Sequence, residues 1–400
     1  MQTVQPKAAQ LSPDRATVLR TLAPVYFYFL VAGAVTVMLG PLLPQLMEHW
    51  RIQDAQAGTL FTADFLGQLC GAWIAARNLR ASLVYGSILA AAGCLALLSL
   101  GFGAAHIALF CIGLGLGTGL TAGNILAGTT LPSARARLLV ILNVAWGLGA
   151  IACPLLISLT AGGGMRRFFF AIAALLLAAS LFSVAIPRAT PPKDGPRPSE
   201  LTGPQSTKSP WPLPLFPLLA FGAAMFLYVG VENSLGGWLP SYALRSSTSL
   251  QASTIAIYFW VAELVGRLIV AALMTVLSER VLFRLCLALL LVTEGLLCSI
   301  AHPSAIGVIT LTIFGGFTLA PVFPLLVSFM LARTGSHKRL GPLFASASLG
   351  GAVLPWLTGL CSTYLHGLRA GLVVPAAGVG LLLFLSGIIT SKANSTLATG

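Results

Sequence analysis

Four acids stand in strongly apolar surroundings: Asp64, Glu232, Glu263 and Glu294. One base, Arg267, joins them. An ionisable side chain near the middle of a membrane helix costs roughly 2.5–3.5 kcal/mol on insertion scales, so each needs a physical reason. Glu263 and Arg267 are four positions apart, which puts them on one helical face with the acid N-terminal, the better order for a pair. Two roles fit them. They form either a structural ion pair that makes both charges tolerable, or a gating or coupling pair whose partners change between states. Asp64 has Gln68 where an arginine would complete the same pattern. It therefore lacks a local counter-charge, and both a structural and a coupling role fit it. Glu294 is expected to pack or to hydrogen-bond on the periphery.

The richest constellation is YVGVENSLGGWLP, from Tyr228 to Pro240. Tyr228, Glu232 and Gly236 share a face by their i, i+4 spacing. Glycine weakens a helix and lets backbone approach a ligand or another helix. With Asn233 and Trp238 the stretch combines a carboxylate, an amide, aromatic rings and accessible backbone. Those groups suit a sugar, which needs donors and acceptors for hydroxyls and flat rings against its C–H faces. The alternative is that Glu232 bonds between helices while the glycines only permit close packing. Two further amides, Asn124 and Asn143, are expected to be buried, and Trp146 follows Asn143 by three residues on nearly the same face. An Asn–Trp pair facing a cavity suits a neutral hydroxylated ligand; interhelical hydrogen bonding is the other reading.

These residues must be held by membrane helices. The 400 residues are 57% hydrophobic and 8% charged, with a mean hydropathy of +0.91. Soluble domains carry about 25% charged residues. The apolar runs are continuous rather than alternating, which argues against a β-barrel. The net charge of +13 comes from basic residues that punctuate apolar segments, so no nucleic-acid partner is expected. The seven cysteines fall inside apolar runs without CxxC spacing, and the five histidines are scattered. Neither disulfides nor a metal or other cofactor is expected. Residues 1–20 lack the apolar core of a cleaved signal, so the first apolar segment is expected to stay.

Twelve apolar segments can be marked, near 22–46, 56–77, 81–101, 104–130, 136–160, 166–187, 213–243, 250–277, 281–301, 304–334, 337–363 and 367–391. Each can cross a hydrocarbon core of about 30 Å as a helix. An all-α polytopic membrane protein follows. Residues 188–212, rich in Pro, Ser and charge, read as a cytoplasmic linker between an N-terminal six-helix half, 1–187, and a C-terminal one, 213–400. With both termini cytoplasmic, seventeen Lys and Arg fall inside and five outside, the asymmetry expected of membrane topology.

The halves repeat. LGPLLP (39–44) matches LGGWLP (235–240), 196 residues on; DFLGQL (64–69) matches ELVGRL (263–268), 199 residues on. A GA…P element recurs at Gly149–Pro154 and Gly351–Pro355. Repeats of this kind place a site between halves near the bilayer midplane, where rocking alternates access.

On these features the chain resembles the major facilitator superfamily over essentially its whole length. The family's loop pattern after segment two is degenerate here, GAWIAARNLR (71–80), with Ala75 in place of the aspartate. SERVLFR (278–284), after segment eight, keeps acid and arginines better, so a cytoplasmic latch would be stronger in the C-terminal half. A closer resemblance is to the fucose-permease-like sugar transporters. It is carried by GPLLPQL (40–46), TAGN (121–124), LNVAWGLGAI (142–151), FLYVGVEN (226–233) and PVFP (321–324). It implies sugar contacts at Asn143 and Trp146 and an aromatic contact at Phe323. Gly40 and Leu120 stand where that family has acids, so those positions cannot carry proton coupling here.

The expectation is a secondary active or facilitative transporter of a small neutral sugar or polyol. Its partners would be that solute, the bilayer and a co-transported proton or sodium ion, with Glu232 the first coupling candidate and Asp64 the second. Uniport is the alternative for energy, and an exporter of amphipathic compounds the alternative for substrate. No phosphate-binding loop, nucleophile–base pair or metal cluster suggests an enzyme. A monomer in a bacterial inner membrane, crossing it many times, is expected.

Overall fold

The computed structural model describes residues 15–75, 78–131, 134–187, 215–334 and 340–390. The expected linker, 188–212, and both termini lie outside the described residues. Fifteen α-helices and no strand are present among them. In the first group are α1 (Arg15–Val37), α2 (Leu39–Trp50), α3 (Asp54–Ala75), α4 (Leu79–Ala96), α5 (Phe102–Thr130), α6 (Arg135–Thr160) and α7 (Gly164–Val184). The second group holds α8 (Leu215–Ser246), α9 (Ala252–Leu273), α10 (Glu279–Ser299), α11 (Ala305–Leu319), α12 (Val322–Thr334), α13 (Leu340–Tyr364), α14 (Leu368–Gly371) and α15 (Val373–Ile389). Lipid offers no partner to a free N–H or C=O, so helices close their own backbone bonds.

Three expected segments are broken helices. The breaks after Val37, Leu319 and Gly371 come at or next to positions four residues before Pro41, Pro324 and Pro375. A proline supplies no N–H to the carbonyl four residues back and its ring presses on it, so the helix parts there. Nine stretches among the described residues are long and apolar enough to cross a membrane, and one of them, 137–184, contains nearly all of α6 and the whole of α7. Helices α3 and α13 are not among the nine. They pack against each other and so join the two groups of helices.

Helices α1–α7 pack mainly among themselves, as do α8–α15. The sequence repeat is visible in this packing. Gly67 of α3 lies on the Phe110 carbonyl of α5, and Gly266 of α9, 199 positions on, lies on the Phe317 carbonyl of α11. Gly149 of α6 lies on Leu30 of α1, and Gly350 of α13 on Phe226 of α8; Phe226 is 196 positions after Leu30, the offset of the LGxxLP repeat. The repeat's own glycines meet across the bundles. A Cβ on Gly40 would sit 2.2 Å from the Gly236 carbonyl oxygen, an oxygen that Pro240 leaves without its helical donor.

That contact makes a prediction. Gly40→Ala should force α2 and α8 apart and disfavour closure there by about 1–3 kcal/mol, the usual cost of overpacking. Faster hydrogen exchange at the ends of α2 and α8 would report it. Unchanged exchange would show that the contact gives way without cost.

Candidate functional site

A latch joins the bundles at one end, in addition to the Gly40–Gly236 and α3–α13 packing, and a charged, aromatic site is built within the C-terminal group. At the latch, Asp54 at the start of α3 takes both guanidinium nitrogens of Arg245 from α8. Nη1 donates to Oδ2 at 2.7 Å and Nη2 to Oδ1 at 2.6 Å. Ser362 of α13 donates to the same Oδ2 at 2.5 Å. The Ala55 amide donates to Thr363 Oγ1 at 2.9 Å, and Thr62 Oγ1 to the Ala352 carbonyl at 2.8 Å. These bonds tie the first half of α3 to the end of α8 and to the end and middle of α13. Bidentate Arg–carboxylate pairs are among the stronger and more directional polar contacts. Sequence reasoning missed the latch. Arg245 counted only as a loop charge, and its partner is 191 positions away.

The expected cytoplasmic latch would lie at the other end. There, residues 76–77 are outside the described set, Glu279 accepts from Ser328 at 3.2 Å and Arg284 donates to Thr390 at 2.8 Å. Both of these bonds stay within the C-terminal group.

The centre is built on α8 and α9. Arg267 pairs with Glu263 one turn earlier, as the spacing suggests. Its Nη2 also lies 3.6 Å from Glu232 Oε1, a partner on another helix that sequence spacing could not reveal. Tyr228 donates its hydroxyl to that same Oε1 at 2.5 Å. The Tyr228 ring packs on Phe323 of α12 with centroids 5.3 Å apart, so Phe323 joins the site. Glu263 is sealed at 2% side-chain exposure, while Arg267 and Glu232 retain 22% and 12%. One arginine thus lies between two carboxylates; Arg267, Glu232 and Phe323 keep part of their surface open, while Tyr228, 1% exposed, stands behind Glu232 and fixes its shared oxygen. Asn233, next to Glu232, is half-buried and donates to the Val229 carbonyl.

Across from this cluster, Trp146 of α6 meets Trp260 of α9 edge to face at 5.9 Å. Trp260, which sequence analysis did not single out, also packs on Phe259 and over Gly236. Its indole N–H is buried without a partner among the described residues.

Other expected residues sit differently. Asn124 and Asn143 are exposed, not buried, and each donates to the carbonyl four residues back. Trp238 has no exposed surface and gives its N–H to the Pro355 carbonyl at 2.9 Å. It packs against Phe61, so in this conformation it is a joint between bundles and cannot touch a ligand. The reason is helical geometry: six residues beyond Glu232, it points to another face. Asp64 does find a neighbour, since Gln68 donates to its Oδ2 at 2.8 Å, while its Oδ1 is buried without a partner among the described residues. It lies against Gly113 of α5, inside its own group. Glu294 is buried, and among the described residues neither of its oxygens makes a hydrogen bond, so of the two expected roles the described contacts leave packing.

Two helical groups joined by a latch at one end, with ionisable residues held at their centre, form the architecture of a membrane transporter. The chain belongs to the Major Facilitator Superfamily, whose sequence profile matches residues 25–341. It is a multi-pass membrane protein. It is 26% identical over 372 residues to "Bypass of stop codon protein 6" of Saccharomyces cerevisiae, a match covering 83% of this chain and 75% of the yeast protein. It is 31% identical over 142 residues to the glucose/mannose transporter GlcP of Bacillus subtilis, covering 34% of this chain and 33% of that protein. Among solved structures, similar folds include a point mutant of the nucleoside transporter NupG, with a TM-score of 0.71 and 12% identity. That match covers 94% of this chain and 100% of the other. FucP in the outward conformation gives a TM-score of 0.62 at 16% identity, covering 94% of this chain and 100% of that one.

Proposed function

We propose that this transporter moves a small neutral sugar or polyol by alternating access, with the central site formed by Tyr228, Glu232, Arg267 and Phe323. The observation that carries this reading is the shared Glu232 oxygen. It takes the Tyr228 hydroxyl and faces Arg267, beside an aromatic wall. A sugar hydroxyl can replace or bridge those partners, because Arg267 has N–H groups beyond those used and a guanidinium carries five donors. Trp146 and Asn143 supply the facing wall from the N-terminal group. The segment shared with a glucose/mannose transporter supports the substrate class.

Both termini are placed in the cytoplasm of a bacterial cell. The latch then faces outward and ties that end of the two groups together. Glu232 is the coupling carboxylate, and the co-transported ion is a proton. It is the partly exposed acid whose partners can exchange, whereas Glu263 is sealed and Asp64 faces α5.

Glu232→Gln should therefore abolish proton-driven sugar accumulation in proteoliposomes while sparing sugar exchange. Unchanged accumulation would remove Glu232 from coupling. Resistance profiles of cells lacking the protein separate this reading from export of amphipathic cations, which the aromatic pair Trp146–Trp260 beside surplus carboxylate would also suit.

A further inference from the structure

A cavity of about 730 Å³ lies over the latch, within the size range of small-molecule sites. It is lined from the N-terminal group by Gln53 and Asp54, and from the C-terminal group by Arg245, His302, His366 and Arg369. Its charges do not balance. Asp54 is the one carboxylate among the described lining residues, and Arg245 already holds both of its oxygens. Arg369 stands exposed at the cavity with neither an ion pair nor a hydrogen bond among the described residues. His302 and His366 are exposed beside it and offer a ring donor in either protonation state. The hydroxyls nearby are spent, because Ser362 donates to Asp54 and Tyr242 to the Leu297 carbonyl. Beside the neutral amide of Gln53, what is left is an unpaired guanidinium and two imidazoles, with no free carboxylate among the described lining residues.

We propose that this cavity is a second binding site, taking the carboxylate or phosphate group of a small anion, and that filling it loosens the latch. Arg369 supplies the planar fork that such groups prefer, and the histidines close around the remaining oxygens. The anion also lies next to Arg245, whose side chain is 44% exposed, and competes there with Asp54 for the guanidinium. An anion on the latch side therefore weakens the bond that keeps that side shut. The site and its ligand class do not depend on what the central site carries, and a failure of sugar transport would leave the inference standing.

The anionic group can come from a soluble solute or from a lipid headgroup, and the experiment separates the two. The full chain is placed in nanodiscs of phosphatidylcholine and titrated with sodium phosphate, with sodium chloride at matched ionic strength as control. Binding is read by calorimetry and latch opening by hydrogen exchange at the amides of residues 54–58, where Ala55 is tied to Thr363. Saturable phosphate binding with faster exchange is expected, and Arg369→Gln should weaken both tenfold or more. Arg369 gives up no bond among the described residues, so the variant should fold as the parent does. In a second arm phosphatidylglycerol replaces part of the lipid and no phosphate is added. A response in this arm alone, again lost in Arg369→Gln, supports the site with a headgroup as its source. No response in either arm overturns the proposal. So does a response that sodium chloride reproduces or that Arg369→Gln retains, since that is an adventitious ion only.

Discussion

Arg267→Met should be the most damaging single substitution in this protein. It leaves Glu263 at 2% exposure with its ion-pair partner gone and takes from Glu232 the cation 3.6 Å away. Breaking a buried pair by removing one partner typically costs about 3–5 kcal/mol, because the remaining charge is stranded. A large fall in thermal stability in detergent, together with loss of transport, is the expected result. The double variant Glu263→Gln/Arg267→Met separates the two roles open to this pair. Replacing both charges should recover most of the stability, since a buried pair is worth little against a well-packed neutral substitute. Transport should stay lost, because Arg267 also faces the Glu232–Tyr228 pair of the proposed central site. A double variant that regained both stability and transport would make the pair structural only.

Asp54→Ala should shift the protein toward opening at the latch end. The substitution removes two charge-assisted bonds from Arg245 and one from Ser362. Hydrogen bonds to charged groups contribute about 1.5–3 kcal/mol each before resolvation, and Arg245 is exposed enough to regain water. A net shift of about 2–4 kcal/mol follows, or roughly 30- to 1000-fold in the ratio of closed to open. Distances between spin labels at Glu48 and Thr248, both exposed near the latch, would measure it in a background lacking native cysteines. The populations should move to longer distances. Distances that stayed as in the parent would show that Gly40–Gly236 packing and the α3–α13 contact hold the end shut without the ion pair.

How far the sequence could be read depends on how local each relation is. The Glu263–Arg267 pair was legible because it spans one helical turn, and so was the common face of Tyr228 and Glu232. The two-bundle repeat was legible because LGxxLP and acid-x-x-Gly survive in both copies, and their glycines sit where helices touch. The third member at Glu232, Arg267, was not legible, since it comes from a neighbouring helix. Asp54 and Arg245 were hidden for the same reason, as ordinary charges at helix ends until the bundles meet. Trp238 was drawn toward the site by nearness in sequence, although its angular position already pointed it elsewhere. Asn124 and Asn143 were expected to be buried, but they stand exposed, because periodicity alone does not say which helix faces are covered. The broken helices were written in Pro41, Pro324 and Pro375, yet Pro24, Pro154, Pro240 and Pro355 sit inside unbroken ones. Packing around each proline, which the sequence does not display, decides between the two.

Uptake into proteoliposomes tests the central claim most directly. Purified protein is reconstituted and offered labelled hexoses, pentoses and polyols, with and without proton and sodium gradients, beside a panel of amphipathic cations. Saturable uptake of at least one neutral sugar or polyol is predicted, accumulated against its gradient when protons flow inward and only equilibrated in Glu232→Gln. Failure to move any of them, while an amphipathic cation is carried, would contradict the account.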